Sequence, residues 1–521
     1  MTRRVPTVVV ALSIATAACT STIQSPEGGP GEEAVKSCDR LDRLVTRTRR
    51  GFVPGRSADI LVVPREPSYI GTAQRPVHTG PWDYLAEVPL VFYGPGVVPP
   101  LGSVDRPATM ADVAATLGEM IGYEFDAPDG RVLREPSRLE NEPRVVVVIV
   151  WDGGGWNALH EHAESWPFLK KMTRDGVSFS DATIGSSPSN TPPIHTTLGT
   201  GAFPSTHGIA NVRIRTSSGG YTDPFEENDG RRIEVPSLAD RFDRALGNRP
   251  VVGVVGTVNW HLGMIGHGAS FPEGDRDLAV LLDVNGNRFG NGDVYDIPEG
   301  SDARRLAAFA AELDRSDGVL DDKWRAVDVT DPAIRYASPA YVSYEGNVVE
   351  RVVRSRRFGD DPTPDLLFVN FKTIDSAGHR WGMTSPEVGE VIASADRALR
   401  KIATVLEEVA PQSWALVVTA DHGQTPYPSE SGGWPIKGAE VKADIESEFG
   451  GGYVERVTSG GIFMTPDGVD RAEEIGAWLG SYEVEDNLGE GQTAPARWEG
   501  RLTERLFDVV MVGEEVVYRA C

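Results

Sequence analysis

Positive charge is scarce in this chain: 51 lysines and arginines face 76 aspartates and glutamates, a formal net charge of −25. Such a surface repels phosphate backbones, which excludes nucleic-acid binding by bulk charge, although a bound metal could still attract a phosphate locally. Long apolar runs are scarce as well. After residue 18 no segment has about 20 uninterrupted apolar residues, the length a bilayer span needs. The glycine cluster Asp152-Gly153-Gly154-Gly155 lacks the Gly-Lys-Ser/Thr of an NTPase phosphate loop. Extremes of composition are missing too, since 24% charged and 40% hydrophobic residues describe a globular protein and not a disordered or collagen-like one. With 521 residues there is material for one large domain with insertions or for two domains, and too much for a minimal binding module.

Cysteine is limited to Cys19, Cys38 and Cys521. The first closes an N-terminal pattern: Arg3 and Arg4, a short apolar stretch over residues 5–18, then Thr16-Ala17-Ala18-Cys19, which resembles a bacterial lipoprotein cleavage box. Residues 1–18 therefore read as a signal peptide and Cys19 as the acceptor of a lipid anchor, the only expected link to a membrane. A plain secreted protein with an incidental cysteine is the alternative. Either reading places the chain outside the cytoplasm. There Cys38 and Cys521 can pair as a disulfide, unless they remain free thiols on two fraying ends. Residues 19–40, with glycines, prolines and no apolar periodicity, read as a flexible tether.

From residue 41 the pattern turns to alternating strands and helices. Ile60-Leu61-Val62-Val63 and Val88-Pro89-Leu90-Val91-Phe92-Tyr93 read as buried strands, and residues 109–121 carry Met110, Val113, Leu117 and Met120 on one helical stripe. Val145–Trp151 has no polar alternation, the mark of a parallel strand covered on both faces. Residues 251–255, 366–370 and 414–419 are further strands. Between the last two, Ser385 caps and Pro386 opens a helix whose buried stripe includes Val388, Ile392, Leu399 and Leu406. Strand, helix, strand implies a right-handed parallel crossover. The expected fold is α/β, a three-layer αβα sandwich with a largely parallel central sheet and an inserted cap region. Its expected parts are residues 41–134, a polar junction at 135–143, and a main part at 144–521 in which about 212–350 form an irregular insertion that roofs a site.

Chemistry-bearing residues gather where these strands end. Trp151 leads to Asp152, Asn370 leads to Asp375 and His379 in Asp-Ser-Ala-Gly-His, and Thr419-Ala420 leads to Asp421-His422. Open α/β sheets bind ligands at the carboxyl ends of their strands, so these side chains can converge. Mixed carboxylates and imidazoles suit zinc, manganese or iron better than calcium, which prefers oxygen alone. Singly, an Asp after a strand reads as a helix cap and Asp-x-x-x-His as a surface pair. Three clusters at three strand ends favour a metal centre.

The stretch Ser189-Asn190-Thr191-Pro192-Pro193-Ile194-His195, followed by Thr200-Gly201, Pro204 and His207-Gly208-Ile209, resembles the alkaline phosphatase superfamily, especially its type I phosphodiesterase and nucleotide pyrophosphatase branch. Asp152, Asp375-x-x-x-His379 and Asp421-His422-Gly423 fall in that family's order. The resemblance implies a hydrolase of small-molecule phosphate esters with two divalent metal ions, zinc or else manganese. One ion would be held by Asp152, Thr191, Asp421 and His422, the other by Asp375, His379 and a further histidine. Thr191 would be the nucleophile, acting through a phosphothreonine with net retention at phosphorus, and Asn211 would grip a phosphoryl oxygen.

That further histidine follows the Asp-His-Gly motif in the family, yet no histidine occurs after His422 here. His78-Thr79-Gly80-Pro81-Trp82-Asp83-Tyr84, with residues 56–63 and 88–96, resembles the family's C-terminal part instead. The resemblance therefore implies a circular permutation, with His78 completing the second metal set, residues 135–143 joining the family's old ends, and a Cys38–Cys521 bond at the new break. An unrelated N-terminal domain with a chance histidine is the alternative.

Pro192 lacks the backbone N–H with which related phosphodiesterases hold the phosphoryl group. Lys372 is either a compensating cation or, as the safer expectation, a solvated lysine. His261 and His267 either line the pocket or, as expected, are structural. His195 is expected to support the nucleophile loop, and His160 and His162 to occupy polar helix positions. A sulfatase would need Cys or Ser in a Cys/Ser-x-Pro-x-Arg context, which Thr191-Pro192-Pro193-Ile194-His195 lacks, and an export signal disfavours a cofactor-independent mutase. Another ester hydrolase of the superfamily and a catalytically inactive extracytoplasmic binding lipoprotein are the remaining alternatives.

Overall fold

The computed structural model describes residues 30–299, 303–489 and 491–521. The expected signal peptide and the expected lipid acceptor Cys19 lie outside the described residues. Five strands form the parallel heart of a nine-stranded sheet, in the order Leu278–Leu282, Val252–Gly256, Asp365–Phe371, Val145–Trp151 and Trp414–Thr419. Leu90–Tyr93 continues the sheet antiparallel to both of its neighbours, Trp414–Thr419 and Val177–Thr183, and Gly102–Thr109 and Arg288–Phe289 form the two edges.

Every residue of Val145–Trp151 is buried, and its side chains divide between two cores with period two. Val146, Val148 and Val150 pack with Leu117 and Leu198 of the helices Ala111–Met120 and Thr191–Thr200. Val145, Val147, Ile149 and Trp151 pack with Val349 and Leu399 of the helices Pro339–Ser355 and Pro386–Val409 on the other face. An apolar strand without alternation thus has helices above and below, the expected three-layer arrangement. The expected Pro386–Val409 helix forms as read, with Ser385 Oγ accepting from Val388 N at 3.3 Å.

A second, five-stranded antiparallel sheet runs Val454–Thr458, Gly461–Met464, Ile60–Pro64, Phe507–Val512, Glu515–Arg519. Its middle strand comes from the N-terminal segment. So does the internal strand Leu90–Tyr93 of the large sheet. Residues 41–134 are therefore part of both cores and not a separate domain.

Three expectations need correction. The tether expected over 19–40 is helical from Pro30, in the helix Pro30–Gly51, because Leu41, Leu44 and Val45 bury one stripe of it. Residues 212–350 are not an irregular insertion throughout, since Val252–Gly256, Leu278–Leu282 and Arg288–Phe289 belong to the central sheet. Thr109 ends a strand and does not begin a helix: its N–H donates to Asp112 Oδ2 at 2.7 Å, and the helix starts at Ala111. Residues 135–143 have no regular structure, as a junction should. Cys38 and Cys521 form a disulfide with a Cα–Cα distance of 5.7 Å. Among the described residues no helix is long and apolar enough to cross a membrane.

Candidate functional site

Asp365–Phe371, Val145–Trp151 and Trp414–Thr419 lie side by side and end on the same edge of the sheet. Asp152 follows the middle strand directly. Asp375 and His379 share one face of the Thr373–Trp381 helix, four residues apart. Asp421 and His422 follow the third strand. The chain must leave the edge at once after Asp152, and Gly153 does so at φ +70°, where a Cβ would stand 3.0 Å from Asp375. Gly153 N donates to Asp421 Oδ1 at 3.0 Å, joining two strand ends. Thr191 opens the Thr191–Thr200 helix behind an extended Asn190, with Pro192 and Pro193 in a first turn that needs no N–H.

Asp152, Asp421 and His422 converge as one donor set. His422 Nε2 lies 3.6 Å from Asp152 Oδ1 and 3.6 Å from Asp421 Oδ2. Its Nδ1–H donates to Gly423 O at 2.9 Å, so Nε2 carries a bare lone pair. That Nε2 and Asp421 Oδ2 are buried with no hydrogen-bond partner, an arrangement that a cation relieves.

His78, His379 and Asp375 form the second set. His78 Nε2 is 3.2 Å from His379 Nε2, and each nitrogen is 3.3 Å from Asp375 Oδ1. Donors at about 2.0–2.1 Å from a tetrahedral zinc stand about 3.3–3.4 Å apart, the spacing seen here. His78 Nδ1–H donates to Ser189 O at 2.8 Å, which turns its Nε2 lone pair inward. The His78 and His422 rings stack with centroids 3.7 Å apart, so the two sets adjoin.

Charge points the same way. Asp152, Asp375 and Asp421 are buried, and the first two share one ammonium. Lys372 Nζ is 2.7 Å from Asp152 Oδ1, 2.9 Å from Asp375 Oδ2 and 3.0 Å from Thr191 Oγ1. Burial, with Asp421 beside it, pushes Asp152 well above the usual carboxylate range. Burial also raises Asp375 and Asp421, but the adjacent histidines and Lys372 outweigh it and hold both below that range. Burial pushes His422 down to about 3. His379, pulled up by Asp375, still falls to about 4 through burial and the nearby His78 and Lys372. Neutral imidazoles beside surplus carboxylates fit a pair of divalent cations.

Other expectations fare differently. Lys372 is 8% exposed and is not a solvated lysine. Asn211 Oδ1 accepts from Asn190 Nδ2 at 2.7 Å and from Val212 N at 2.7 Å, which ties it to the residue before Thr191 and leaves its Nδ2 free of both. His267 pairs with Asp240 at 2.8 Å, a structural contact. His261 Nδ1 lies 3.0 Å from His195 Nδ1, and His195 Nε2 lies 3.3 Å from Asp421 Oδ2. His195 thus reaches the Asp421 carboxylate as well as sitting on the Thr191–Thr200 helix. His162 caps no site and meets Met383 O at 2.7 Å, and His160 stacks on Trp156. Asn370 escaped sequence reading: its Nδ2 donates to Asp152 Oδ2 at 3.1 Å. A lone amide inside an apolar strand was the available signal. A cleft of about 1120 Å³, walled by Trp260, Val284 and Tyr336, opens over Thr191, His78 and His379.

The family model of type I phosphodiesterases/nucleotide pyrophosphatases matches residues 146–514, and the chain belongs to this family, within the alkaline phosphatase superfamily. Alkaline phosphatase PhoD of Zymomonas mobilis subsp. mobilis is 22% identical over 356 residues, 61% of this chain, and the chain spans 60% of that relative's length. The crystal structure of wild-type alkaline phosphatase PafA, at 16% identity, covers 72% of this chain and 84% of its own with a TM-score of 0.54, a likeness of fold. His78 and the strands Ile60–Pro64 and Leu90–Tyr93 precede the matched residues.

Proposed function

We propose that the protein is a metal-dependent hydrolase of phosphate esters, a phosphatase or phosphodiesterase, with Thr191 as its nucleophile. What supports this most is the meeting of two adjacent donor sets beside one threonine at a helix N-terminus. Asp152, Thr191, Asp421 and His422 would hold one divalent ion, and His78, Asp375 and His379 the other. Zinc suits this mixture of nitrogen and oxygen, with manganese second. When bound, the pair supplies Lewis acidity to the attacking and leaving oxygens.

The remaining work falls to the chain's own groups. Thr191 Oγ1 bonds to phosphorus as the alcohol oxygen leaves, and water releases the phosphothreonine in a second displacement, so configuration is retained. Pro192 and Pro193 remove two N–H donors from the helix end that usually cradles an anion. The Lys372 ammonium, 3.0 Å from Thr191 Oγ1, replaces them, favouring the deprotonated hydroxyl and attracting phosphoryl oxygens. Asn211, with its Oδ1 fixed, offers Nδ2 to a phosphoryl oxygen.

Two strands that precede the family match lie inside the two sheets and not at their edges, which supports a circular permutation that carries His78 to the front of the chain. Residues 1–18 would export the protein, and Cys19 would anchor it by lipid. Thr191→Ala tests the central role: turnover of p-nitrophenyl phosphate and its bis ester should fall at least about a thousandfold with metal content retained. Unchanged turnover in a metal-replete variant would rule out this nucleophile.

A further inference from the structure

A second group of carboxylates stands at the opposite end of the sheet. Asp277 immediately precedes Leu278–Leu282, a strand that runs parallel to those delivering the catalytic residues at their far ends, so a strand length of about 17 Å separates the two places. Asp243, on the helix Leu238–Ala245, and Asp275 and Asp277, on the loop before the strand, each direct an oxygen to one point, with all three within 4.8 Å of one another. Asp243 is 3% exposed and Asp277 7%, while Asp275 stands at the mouth. Asp243 Oδ1 is buried with no hydrogen-bond donor.

The nearby basic groups are engaged elsewhere. His267 is held by Asp240 at 2.8 Å. Arg241 and Arg244 lie over the Phe271 ring, and Arg276 donates to Gly292 O. Burial, and after it the charges of Asp243, Asp240 and Asp275, push Asp277 well above the usual carboxylate range. Asn248 Oδ1, on the turn that joins this helix to Glu273 O, is a further buried oxygen without a donor. Burial and the neighbouring Asp275 push Asp243 up to about 7, so three carboxylates in one partly buried place, with a solvent-shielded oxygen left bare, repel one another above that pH unless a cation takes the proton's place.

We infer that Asp243, Asp275 and Asp277 form a calcium site that fastens the Leu238–Ala245 helix to the start of the Leu278–Leu282 strand. Oxygen-only donors select a hard cation, unlike the imidazole-containing sets at the catalytic end. Water entering beside exposed Asp275 completes the six to eight ligands calcium takes, and affinity falls in the range of extracellular modules, on the order of 10⁻⁴ M.

Calorimetric titration of the zinc-loaded full-length protein with calcium chloride tests this. One calcium should bind, and 10 mM calcium, roughly 100 times that dissociation constant, should raise the melting temperature by about 2–4 °C. Asp243→Asn and Asp277→Asn should each weaken binding at least tenfold and lose the melting shift, while zinc content and aryl phosphate turnover stay unchanged. Asp275→Asn, exposed and harmless to the core, should weaken binding if the buried variants fail to fold. Absence of calcium heat in the wild type, undiminished affinity in Asp275→Asn and whichever buried variant folds, or an equal response to magnesium would each overturn the assignment.

Discussion

Lys372 carries the one ammonium that touches Asp152, Asp375 and Thr191 together. Its removal leaves those carboxylates less neutralised and Thr191 Oγ1 without this donor. Lys372→Met should lower kcat/KM about 10²- to 10³-fold, the usual loss of one well-placed donor at a reacting oxygen. The loss should be larger on a dianionic monoester than on a monoanionic diester, since attraction scales with substrate charge. Equal losses on both would place Lys372 in structure alone. His207 acts differently. Ile209 N donates to its Nδ1 at 3.1 Å, and its Nε2 faces Pro193 O at 3.1 Å, so the neutral ring braces the Thr191–Thr200 helix. Burial pushes it down to about 3. The unfolded chain takes up this proton below about pH 6.5 and the folded one does not, so stability falls as pH drops from there toward 3, by about 1.4 kcal/mol per pH unit from this group. His207→Gln should be less stable at pH 7 but should show a slope shallower by one proton between pH 6 and 4 in denaturant titrations. At this scale the candidate donors Asp152, Asp375, His379, Asp421 and His422 were legible, because they follow recognisable strands. The sequence left Lys372 open between a compensating cation and a solvated lysine and missed Asn370, because their partner Asp152 follows a strand that sequence spacing does not place beside theirs.

The Thr191–Thr200 helix owes its position to two close backbone approaches. A Cβ on Gly199 would lie 2.5 Å from Met264 O, and one on Gly263 would lie 3.0 Å from Thr196 N. The helix and the turn Asn259–Met264 therefore touch backbone to backbone, which sets His195 against His261. Gly199→Ala should destabilise the protein by about 1–3 kcal/mol through overpacking and reduce turnover by shifting Thr191, as denaturation and rate measurements together would reveal. Long amphipathic elements such as Pro386–Val409 were legible from periodicity. The short strand Leu278–Leu282 was not, because a five-residue apolar run shows its role only once Val252–Gly256 lies beside it. The helix Pro30–Gly51 was masked by the glycines and prolines just ahead of its apolar stripe.

Across the whole molecule the N-terminal segment is threaded through both sheets, and the Cys38–Cys521 bond joins the two ends of the described chain across 483 positions. Replacing both cysteines with serine should cost about 2–5 kcal/mol of stability and leave metal content unchanged, since neither cysteine belongs to the proposed ligand sets. The same threading brings His78 to His379 and Asp375, a meeting that the family resemblance implied and that no local pattern could locate. Anomalous diffraction at the zinc edge tests the account most directly. It should yield two peaks beside Thr191, one of them bonded to His78, Asp375 and His379, with that peak alone lost or weakened in His78→Ala. A single peak in the wild type, or a second ion with no bond to His78, would contradict the account.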